Sequence, residues 1–339
     1  MQKSEDNRPL MVSIRCATYN HANYIRQCLD GFVMQKTNFR FEAIVHDDAS
    51  TDGTTEVVRE YAEKYPDIIK PMYEVENQYS RNLAEMNKRI NDRLVGKYIA
   101  ICEGDDYWID PLKLQKQVDY LEEHPECTMT CNRTKLYSER DKAFIGEQYC
   151  LNENGTLRAE DAINRTGLYV PTCSILYRRQ ILDAYPDYCK KCLVGDYPLQ
   201  IFCAMKGYIY YFNDAMSVYR RFNSNSWVGQ QEWGKFSMKR IEIVKSRVKM
   251  LRGFMCENST YRKVFEDKIS DEINRNVPYR QTPKEDVGKY LSYFADDINN
   301  YSLRWRFDLM IRKCRIPKIR YWYTKYFLKK YTYLQTLYK

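Results

Sequence analysis

Three carboxylates follow an apolar segment in the stretch ICEGDDYWIDPLKL, which runs from Ile101 to Leu114. Glu103, Asp105 and Asp106, here called the acid cluster, lie within four positions of one another. Buried like charges are unfavourable, because the carboxylates lose hydration and repel one another. A hard divalent cation offsets that repulsion, and carboxylate oxygens are ligands that it prefers. The pattern therefore predicts either a solvated turn or a site for a cation or a charged ligand.

The elements before the acid cluster alternate between strands and helices. Strands are predicted in MVSIRCATYN, FEAIVHDDAS, DIIKPMYEV and KYIAICEG. Helical periodicity separates them in NYIRQCLDGFVMQ, TDGTTEVVREYAEKY and NLAEMNKRINDRL, with Asn23 as the expected N-cap of the first helix. This alternation predicts parallel strands covered by helices, with ligands bound at the carboxyl ends of the strands. Asp47 and Asp48 end the second strand, so we expect them at the same edge as the acid cluster.

The remaining chain divides into a mixed segment and a helical one. From about residue 127 to 222 the sequence predicts short strands (TMTCNRTKLY, YIYYFND, SVYRRF) and helices (RRQILDAY, YPLQIFCAMKG). Beyond about residue 235 the pattern is helical and charged. We therefore predict an α/β domain over residues 9–230 and a helical, basic and aromatic region over residues 235–339.

The bulk composition is that of a soluble globular protein, with 44% hydrophobic and 29% charged residues. No apolar run approaches the ~20 residues of a transmembrane helix, and the polar start MQKSEDNRPL predicts no signal peptide and a cytoplasmic location. Most of the 12 cysteines are scattered within apolar segments, which favours reduced thiols that pack as small hydrophobic groups. The pair Cys189 and Cys192 has no second pair at zinc-site spacing, which argues against a structural zinc site.

Three segments together resemble the family 2 glycosyltransferases, which are inverting enzymes of the GT-A fold. These segments are VSIRCATYNHANYIRQCLDG, FEAIVHDDASTDGT and GKYIAICEGDDYWIDPLKLQKQVDYLEEHPE. They occur in the family's order within about the first 126 residues, and a weaker likeness extends to about residue 230. The resemblance implies a GT-A domain with a mostly parallel central sheet, a nucleotide-sugar donor (expected to be a UDP-sugar) and Mn²⁺ or Mg²⁺. It also implies a glycan or lipid-linked acceptor in cell-surface polysaccharide synthesis.

The resemblance assigns nucleotide-binding roles to residues of the first two motifs. Thr18, Tyr19 and Asn20 match the turn that cradles the nucleotide. Asp48 matches the family residue that holds a uracil-type base.

The acid cluster matches the family's D-x-D motif, although its first acid is Glu rather than Asp. Glu103 is expected to contact the nucleotide, and its longer side chain leaves open whether it reaches the ribose or the metal. Asp105 or Asp106 is expected to be the direct metal ligand. As the glycosidic bond breaks, a cation held there would neutralise the charge of the departing diphosphate.

Asp196, in LVGDYPLQIF, matches the family's catalytic acid, and inversion requires one base opposite the leaving group. The alternative is that Asp196 caps the helix that begins there. Arg220 and Arg221, in SVYRRFNSNSW, are expected on a flexible polar stretch that closes over the diphosphate, because guanidinium groups bind phosphate bidentately.

The C-terminal end interleaves basic and aromatic residues. Residues 301–339 contain eleven Lys and Arg against one acid, although the whole chain has a formal net charge of only +9. No nucleic-acid motif accompanies this charge, so we expect no nucleic acid partner. A packed helical or oligomer surface is one alternative. A basic segment on an anionic membrane fits better, and it predicts a peripheral location at the inner face of the plasma membrane.

Two other functions compete with glycosyl transfer. A sugar-phosphate nucleotidyltransferase would need a Gly-rich, Lys-containing N-terminal loop, but ATYNHANY contains neither residue. A non-catalytic protein that binds nucleotide or glycan would have no need of a carboxylate at Asp196.

Overall fold

A computed structural model describes residues 6–165, 169–222, 237–277 and 284–313. The chain forms two compact units. The first comprises residues 1–190 and 195–231, and the second comprises residues 191–194 and 232–339. All of the candidate site residues named above belong to the first unit.

The first unit is an α/β structure. Its strands are β1 (Leu10–Thr18), β2 (Arg40–Asp47), β3 (Ile69–Tyr73), β4 (Tyr98–Ile101), β5 (Tyr107–Trp108), β6 (Cys127–Ser138), β7 (Ala143–Gln148), β8 (Gly155–Leu157), β9 (Leu176–Arg178) and β10 (Tyr208–Arg221). Its helices are α1 (Ile25–Val33), α2 (Thr54–Lys64), α3 (Gln78–Asn91), α4 (Lys113–Glu123), α5 (Ala159–Arg165), α6 (Asp187–Lys190) and α7 (Asp196–Lys206), with 3₁₀ turns at Thr172–Ser174 and Arg179–Leu182.

One sheet in the order β3-β2-β1-β4-β9-β6-β10-β5 organises this unit. Strands β3, β2, β1 and β4 are parallel to one another, and β6 is parallel to β10. Strand β9 is antiparallel to both β4 and β6, so β4, β6 and β10 all end at the same edge as β1 and β2. Strands β5 and β8 pair antiparallel with β10, and β7 with β6. The predicted α/β fold with a central sheet is therefore confirmed.

Burial of both faces explains the apolar runs of the central strands. Every residue of β4 is buried, as expected for a parallel strand covered by helices on both sides. Helix α1 packs its buried side against β5, where the rings of Phe32 and Trp108 meet edge to face at 4.9 Å. A side chain at Gly31 would approach the Trp108 amide nitrogen to 2.9 Å, so this contact requires glycine. Helix α1 is thereby held beside the segment that follows the acid cluster.

Three local predictions are wrong. Helix α1 begins at Ile25 without a side-chain cap from Asn23, because the carbonyl of His21 accepts the first amides of the helix entry. The segment RRQILDAY is not a regular helix: Arg178 ends strand β9 and a 3₁₀ turn follows. The predicted strands YIYYFND and SVYRRF are one strand, β10, with register shifts between Phe212 and Ser217.

The second unit is helical, as the pattern beyond residue 235 predicts. Its helices in the described residues are α8 (Met238–Glu257), α9 (Arg262–Arg275), α10 (Lys284–Ser292), α11 (Ala295–Asn299) and α12 (Leu303–Lys313). None of the helices within the described ranges is long and apolar enough to cross a bilayer. The basic and aromatic segment from residue 314 onward lies outside the described residues.

The described cysteines support the prediction of packed, reduced thiols. All of them are free, and each except Cys256 is buried. No group of three or more His, Cys, Asp and Glu side chains suited to a metal ion occurs in the described residues. Cys189 and Cys192 therefore belong to no such group.

Candidate active site

The candidate site lies at the edge where the parallel strands end. The Asp48 amide, after β2, donates to the Thr18 carbonyl at 3.0 Å. The Gly104 amide, after β4, donates to the Ala17 carbonyl at 2.9 Å. Because both loops hydrogen-bond to the end of β1, the structure brings together the three segments that the sequence singled out.

The loop after β1 is tied to the loop after β2. The Asn20 amide donates to Ser50 Oγ at 2.9 Å, and Asn20 Oδ1 accepts the Thr51 amide at 2.9 Å. Asn20 itself has a left-handed backbone with φ of 54°, which asparagine tolerates better than most residues. Thr18 is buried, whereas Tyr19 is exposed. Tyr19 is therefore the residue of this turn most accessible to a ligand.

Asp48 has a structural role that the sequence did not reveal. Its two carboxylate oxygens accept the Gln78 amide at 2.6 Å and the Tyr79 amide at 2.9 Å. These amides belong to the first turn of α3, where backbone N–H groups lack helical partners. A carboxylate accepts about four hydrogen bonds, so Asp48 retains capacity for a donor on a ligand.

Within the acid cluster, Glu103 forms an ion pair with Arg15. Its carboxylate lies 3.5 Å from Arg15, and 34% of the Glu103 side chain remains exposed. Protein atoms crowded around the carboxyl group raise its pKa; Arg15 opposes this, while Asp105 and Asp196 raise the pKa further. The negative charges of Asp105 and Asp196 thus both favour the protonated form of Glu103.

Asp106 is buried and faces the protein interior. Its carboxylate accepts the Arg220 amide of β10 at 2.8 Å. Burial raises the pKa of Asp106, and the neighbouring charge of Asp105 raises it further. Asp105 is only half-buried. The acid cluster thus consists of one anchored carboxylate, Asp106, and two that solvent reaches, Glu103 and Asp105.

The acid cluster can supply one or two ligands to a hard divalent cation, although its three acids do not form a group suited to hold an ion by themselves. Mg²⁺ in enzymes is commonly held by one or two carboxylates, with substrate phosphates and water completing its shell. The charge of Asp105 acts on two neighbouring acids, and a cation would relieve that repulsion. The chemistry of the residues thus favours an ion shared between protein and a bound phosphate.

Asp196 is the first residue of α7 and follows the N-cap residue Gly195. Its carboxylate accepts a hydrogen bond from the Tyr197 amide at 2.8 Å. This amide belongs to the first turn of α7, where backbone N–H groups have no carbonyl partner within the helix. The charge of Asp196 contributes to the raised pKa of Glu103, after burial and Asp105. Asp196 therefore does not occupy the N-cap position, which was the alternative to a chemical role.

The prediction that Arg220 lies on a flexible stretch is wrong. Arg220 belongs to β10, is only 6% exposed, and pairs with Glu139 at 3.0 Å. Its guanidinium also donates to Gln27 and lies 4.6 Å from the centre of the Tyr107 ring. Strand pairing and these partners fix the side chain. Arg221, the last residue of β10, is only partly buried, and residues 223–236 lie outside the described residues.

A cavity of about 520 Å³, which we call the aromatic pocket, opens beside Arg220. It is lined by residues of α1, β5, β6, β10 and the β6–β7 hairpin, including Tyr24, Tyr107, Tyr137, Glu139, Lys142 and Phe144. Sequence reasoning missed these residues. The only available signal was the position of Tyr137 and Glu139 at the carboxyl end of a predicted strand.

Comparisons with known proteins identify relatives in sequence and solved structures with the same fold. The protein is 38% identical over 216 residues to an uncharacterised protein of Mycobacterium tuberculosis, a match that covers 64% of this chain and 60% of that protein. The chain thus spans less than two thirds of the length of that relative. A structure of S. aureus TarS in complex with UDP-GlcNAc has a TM-score of 0.64 at 16% identity, covering 96% of this chain and 92% of that one.

A second solved structure also shares the fold. It is the mannosyltransferase PcManGT from Pyrobaculum calidifontis in complex with GDP-Man and Mn²⁺, with a TM-score of 0.54 at 19% identity over 99% of this chain and 91% of that one. The model of the family described as glycosyl transferase family 2 matches residues 13–185. That segment includes Asp48 and the acid cluster and ends before Asp196. It covers just over half of the chain, which therefore belongs to glycosyl transferase family 2.

Proposed function

We propose that the protein is an inverting, metal-dependent glycosyltransferase. It would move a sugar from a UDP-sugar to a glycan or lipid-linked acceptor in cell-surface polysaccharide synthesis. The observation that carries this proposal is the meeting of Asp48 and the acid cluster at one sheet edge, where the loops after β2 and β4 both hydrogen-bond to the end of β1. Family membership and the nucleotide-sugar complexes of TarS and PcManGT support the donor class.

The donor would lie across the ends of β1, β2 and β4. Tyr19 and Asn20 would line its nucleotide, with Thr18 buried beneath them, and Asp48 would accept a hydrogen bond from the base. Glu103 would contact the ribose. Arg221, at the partly buried end of β10, is more accessible than Arg220, which is 6% exposed, and would contact the diphosphate.

Within the acid cluster, Asp105 is the better candidate for the direct metal ligand. It is more accessible than Asp106, whose carboxylate is engaged by the Arg220 amide. Bound Mn²⁺ or Mg²⁺ would stabilise the negative charge that gathers on the diphosphate as it leaves. Asp106 would hold the acid-cluster loop against β10.

Asp196 would act as the general base. In a single displacement with inversion, the acceptor hydroxyl attacks the anomeric carbon from the side opposite the diphosphate. That hydroxyl must lose its proton as the new glycosidic bond forms, and the Asp196 carboxylate would accept it.

A nucleotide screen tests the proposed function. Calorimetry of the full chain with UDP, GDP and CDP, each with Mn²⁺, Mg²⁺ or EDTA, should show a preference for UDP that EDTA abolishes. A parallel panel of UDP-sugars should reveal slow donor hydrolysis with the same metal dependence. Metal-independent UDP binding would contradict the assignment of the acid cluster, whereas tight binding without hydrolysis or transfer would favour a non-catalytic binding protein.

We also propose that the C-terminal region binds anionic membranes from the cytoplasmic side. Helix α12 supports this, because Leu303, Phe307 and Met310 recur at helical spacing and are exposed. Arg304 and Arg306 lie between them in the sequence. Basic amphipathic helices of this kind bind in the headgroup region of a bilayer.

Vesicle sedimentation should reveal this binding. The full chain is expected to sediment with vesicles that contain anionic phospholipid and to remain in solution with neutral phosphatidylcholine vesicles. Binding should weaken in about 1 M salt, where the Debye length shrinks to about 3 Å. Equal behaviour with both kinds of vesicle would contradict the proposal and favour a packing role for the exposed face of α12.

A further inference from the structure

The aromatic pocket lies on the opposite side of the acid cluster from the expected nucleotide site. In the sheet order, β2 and β1 come before β4, whereas β6, β10 and β5 come after it. The residues expected to bind nucleotide follow β1 and β2. Tyr137, Glu139 and Arg220, which line the pocket, lie at or just beyond the ends of β6 and β10. The acid cluster therefore separates two candidate binding regions.

We propose that the aromatic pocket binds a sugar of the acceptor and holds it beside the acid cluster. This inference rests on the proposed function, because it assigns the second substrate of the transfer reaction. A volume of about 520 Å³ is within the usual range for small-molecule sites.

The hairpin between β6 and β7 forms an aromatic wall of the pocket. Tyr137 pairs with Phe144 across the hairpin, and their rings meet edge to face at 5.3 Å. A β-bulge makes this pairing possible: Leu136 pairs with Gly146, so Ile145 is an extra residue on β7. Bulges re-aim side chains next to active sites. Here the bulged residue, Ile145, follows Phe144 directly. Phe144 is 57% exposed, and its ring lines the pocket.

One side of the pocket carries a group of charges, of which Arg220 and Glu139 are buried and Lys142 is 71% exposed. Glu139 lies between two cations, with one oxygen 3.0 Å from Arg220 and the other 2.6 Å from Lys142. The Arg220–Glu139 pair is 6% and 8% exposed. Burying such a pair costs desolvation energy and is rarely explained by stability alone. Two cations and one carboxylate offer both donors and acceptors of hydrogen bonds.

This combination suits a carbohydrate. A pyranose ring presents C–H groups that pack on aromatic faces, and its hydroxyl groups both donate and accept hydrogen bonds. Phe144 and Tyr137 supply the aromatic surface, while Lys142 and Glu139 supply a donor and an acceptor. The net positive charge of the group would also favour a sugar that carries a carboxylate or phosphate.

The pocket is linked to the reaction centre by a direct contact. The Asp106 carboxylate holds the Arg220 amide at 2.8 Å, so the pocket and the acid cluster share a hydrogen bond. A sugar in the pocket would therefore lie close to the donor diphosphate.

Two neighbouring residues provide a matched test. Phe144→Ala removes the ring that lines the pocket, whereas Ile145→Ala removes the bulged residue, which is 44% exposed and does not line it. Lys142→Asn removes a charge and keeps a residue that tolerates the left-handed backbone at φ of 52°. Saturation-transfer NMR with methyl glycosides of glucose, galactose, mannose, N-acetylglucosamine and glucuronic acid, in the presence of UDP and Mn²⁺, would measure binding. Calorimetry would measure UDP affinity on the same preparations.

Phe144→Ala is expected to weaken glycoside binding about 3- to 10-fold, as the loss of one aromatic contact usually does. Lys142→Asn should weaken it as well, and Ile145→Ala should bind like the wild type. UDP affinity should be unchanged in all three. The proposal is overturned if no glycoside binds, if Phe144→Ala binds like the wild type, or if the pocket variants lose UDP affinity, which would assign the pocket to the donor. Failure of the proposed function would appear separately, as wild-type protein that does not bind UDP.

Discussion

Asp196→Asn is expected to lower the rate of sugar transfer by about 10²–10⁴-fold while UDP affinity stays nearly unchanged. The amide cannot take the proton of the acceptor hydroxyl, so the loss falls on the chemical step. Asparagine keeps a side-chain oxygen that can accept the Tyr197 amide, which Asp196 now accepts at 2.8 Å. The start of α7 should therefore survive the substitution. Transfer to an acceptor panel and UDP calorimetry on one preparation would measure both quantities.

Asp187→Asn is the matched control. Asp187 begins the neighbouring helix α6, and its side chain is 78% exposed. The same chemical change there should leave transfer near the wild-type rate. If Asp196→Asn retains wild-type transfer while Asp187→Asn loses it, the base lies in α6 and the assignment of Asp196 is wrong.

Asp105→Asn should weaken metal-dependent UDP binding by at least about 10–100-fold, the usual loss when even the surroundings of a metal ligand are removed. The substitution neutralises the most accessible aspartate of the acid cluster. Calorimetry with UDP at fixed Mn²⁺, repeated in EDTA, would measure UDP affinity with and without metal. The loss of affinity should occur only with Mn²⁺. Binding that is equally strong with and without the substitution would sink the proposal.

Asp106→Asn separates the two adjacent acids. Asparagine can still accept the Arg220 amide, so the loop should keep its attachment to β10. We expect a smaller loss of UDP affinity than in Asp105→Asn if Asp106 acts mainly as an anchor. Equal losses would make both residues ligands. Asp119→Asn, an exposed position on α4, controls for the general effect of removing one negative charge.

Local pattern was sufficient to predict the edge of the sheet that carries the candidate site. Strands β1, β2 and β4 are short apolar runs that end in polar residues, and burial on both faces leaves such runs little alternative to a central strand. The meeting of Asp48 with the acid cluster followed from that topology. No comparable signal existed for β9, where Leu176 and Tyr177 precede a segment with helical periodicity. Its conformation is decided by pairing with β4 and β6, which are distant in sequence.

The aromatic pocket was beyond prediction for the same physical reason. Its lining comes from four separate segments, and its charges become a group only when β10 lies beside β6. Arg220 appeared to belong to a polar, mobile stretch because the side chains that hold it, Gln27 and Glu139, lie 193 and 81 positions away. The sequence also did not predict that Asp48 accepts two backbone amides at the start of α3. Every residue except proline has a backbone amide, so residue types give no signal for such a bond.

The close approach of the acid-cluster loop to β1 couples two motifs that lie far apart in the chain. A methyl group on Gly104 would come within 2.6 Å of Thr18 Oγ1 and 2.7 Å of Thr18 Cβ. Rotating the threonine hydroxyl relieves the first clash but leaves the second, because Cβ is fixed by the strand. The space beside Thr18 Cβ therefore cannot hold a Cβ at position 104 as well. A chain of this fold with a larger residue at position 104 must have glycine at position 18 or a displaced loop. The composition of the acid motif is set in part by a residue that precedes it by more than eighty positions.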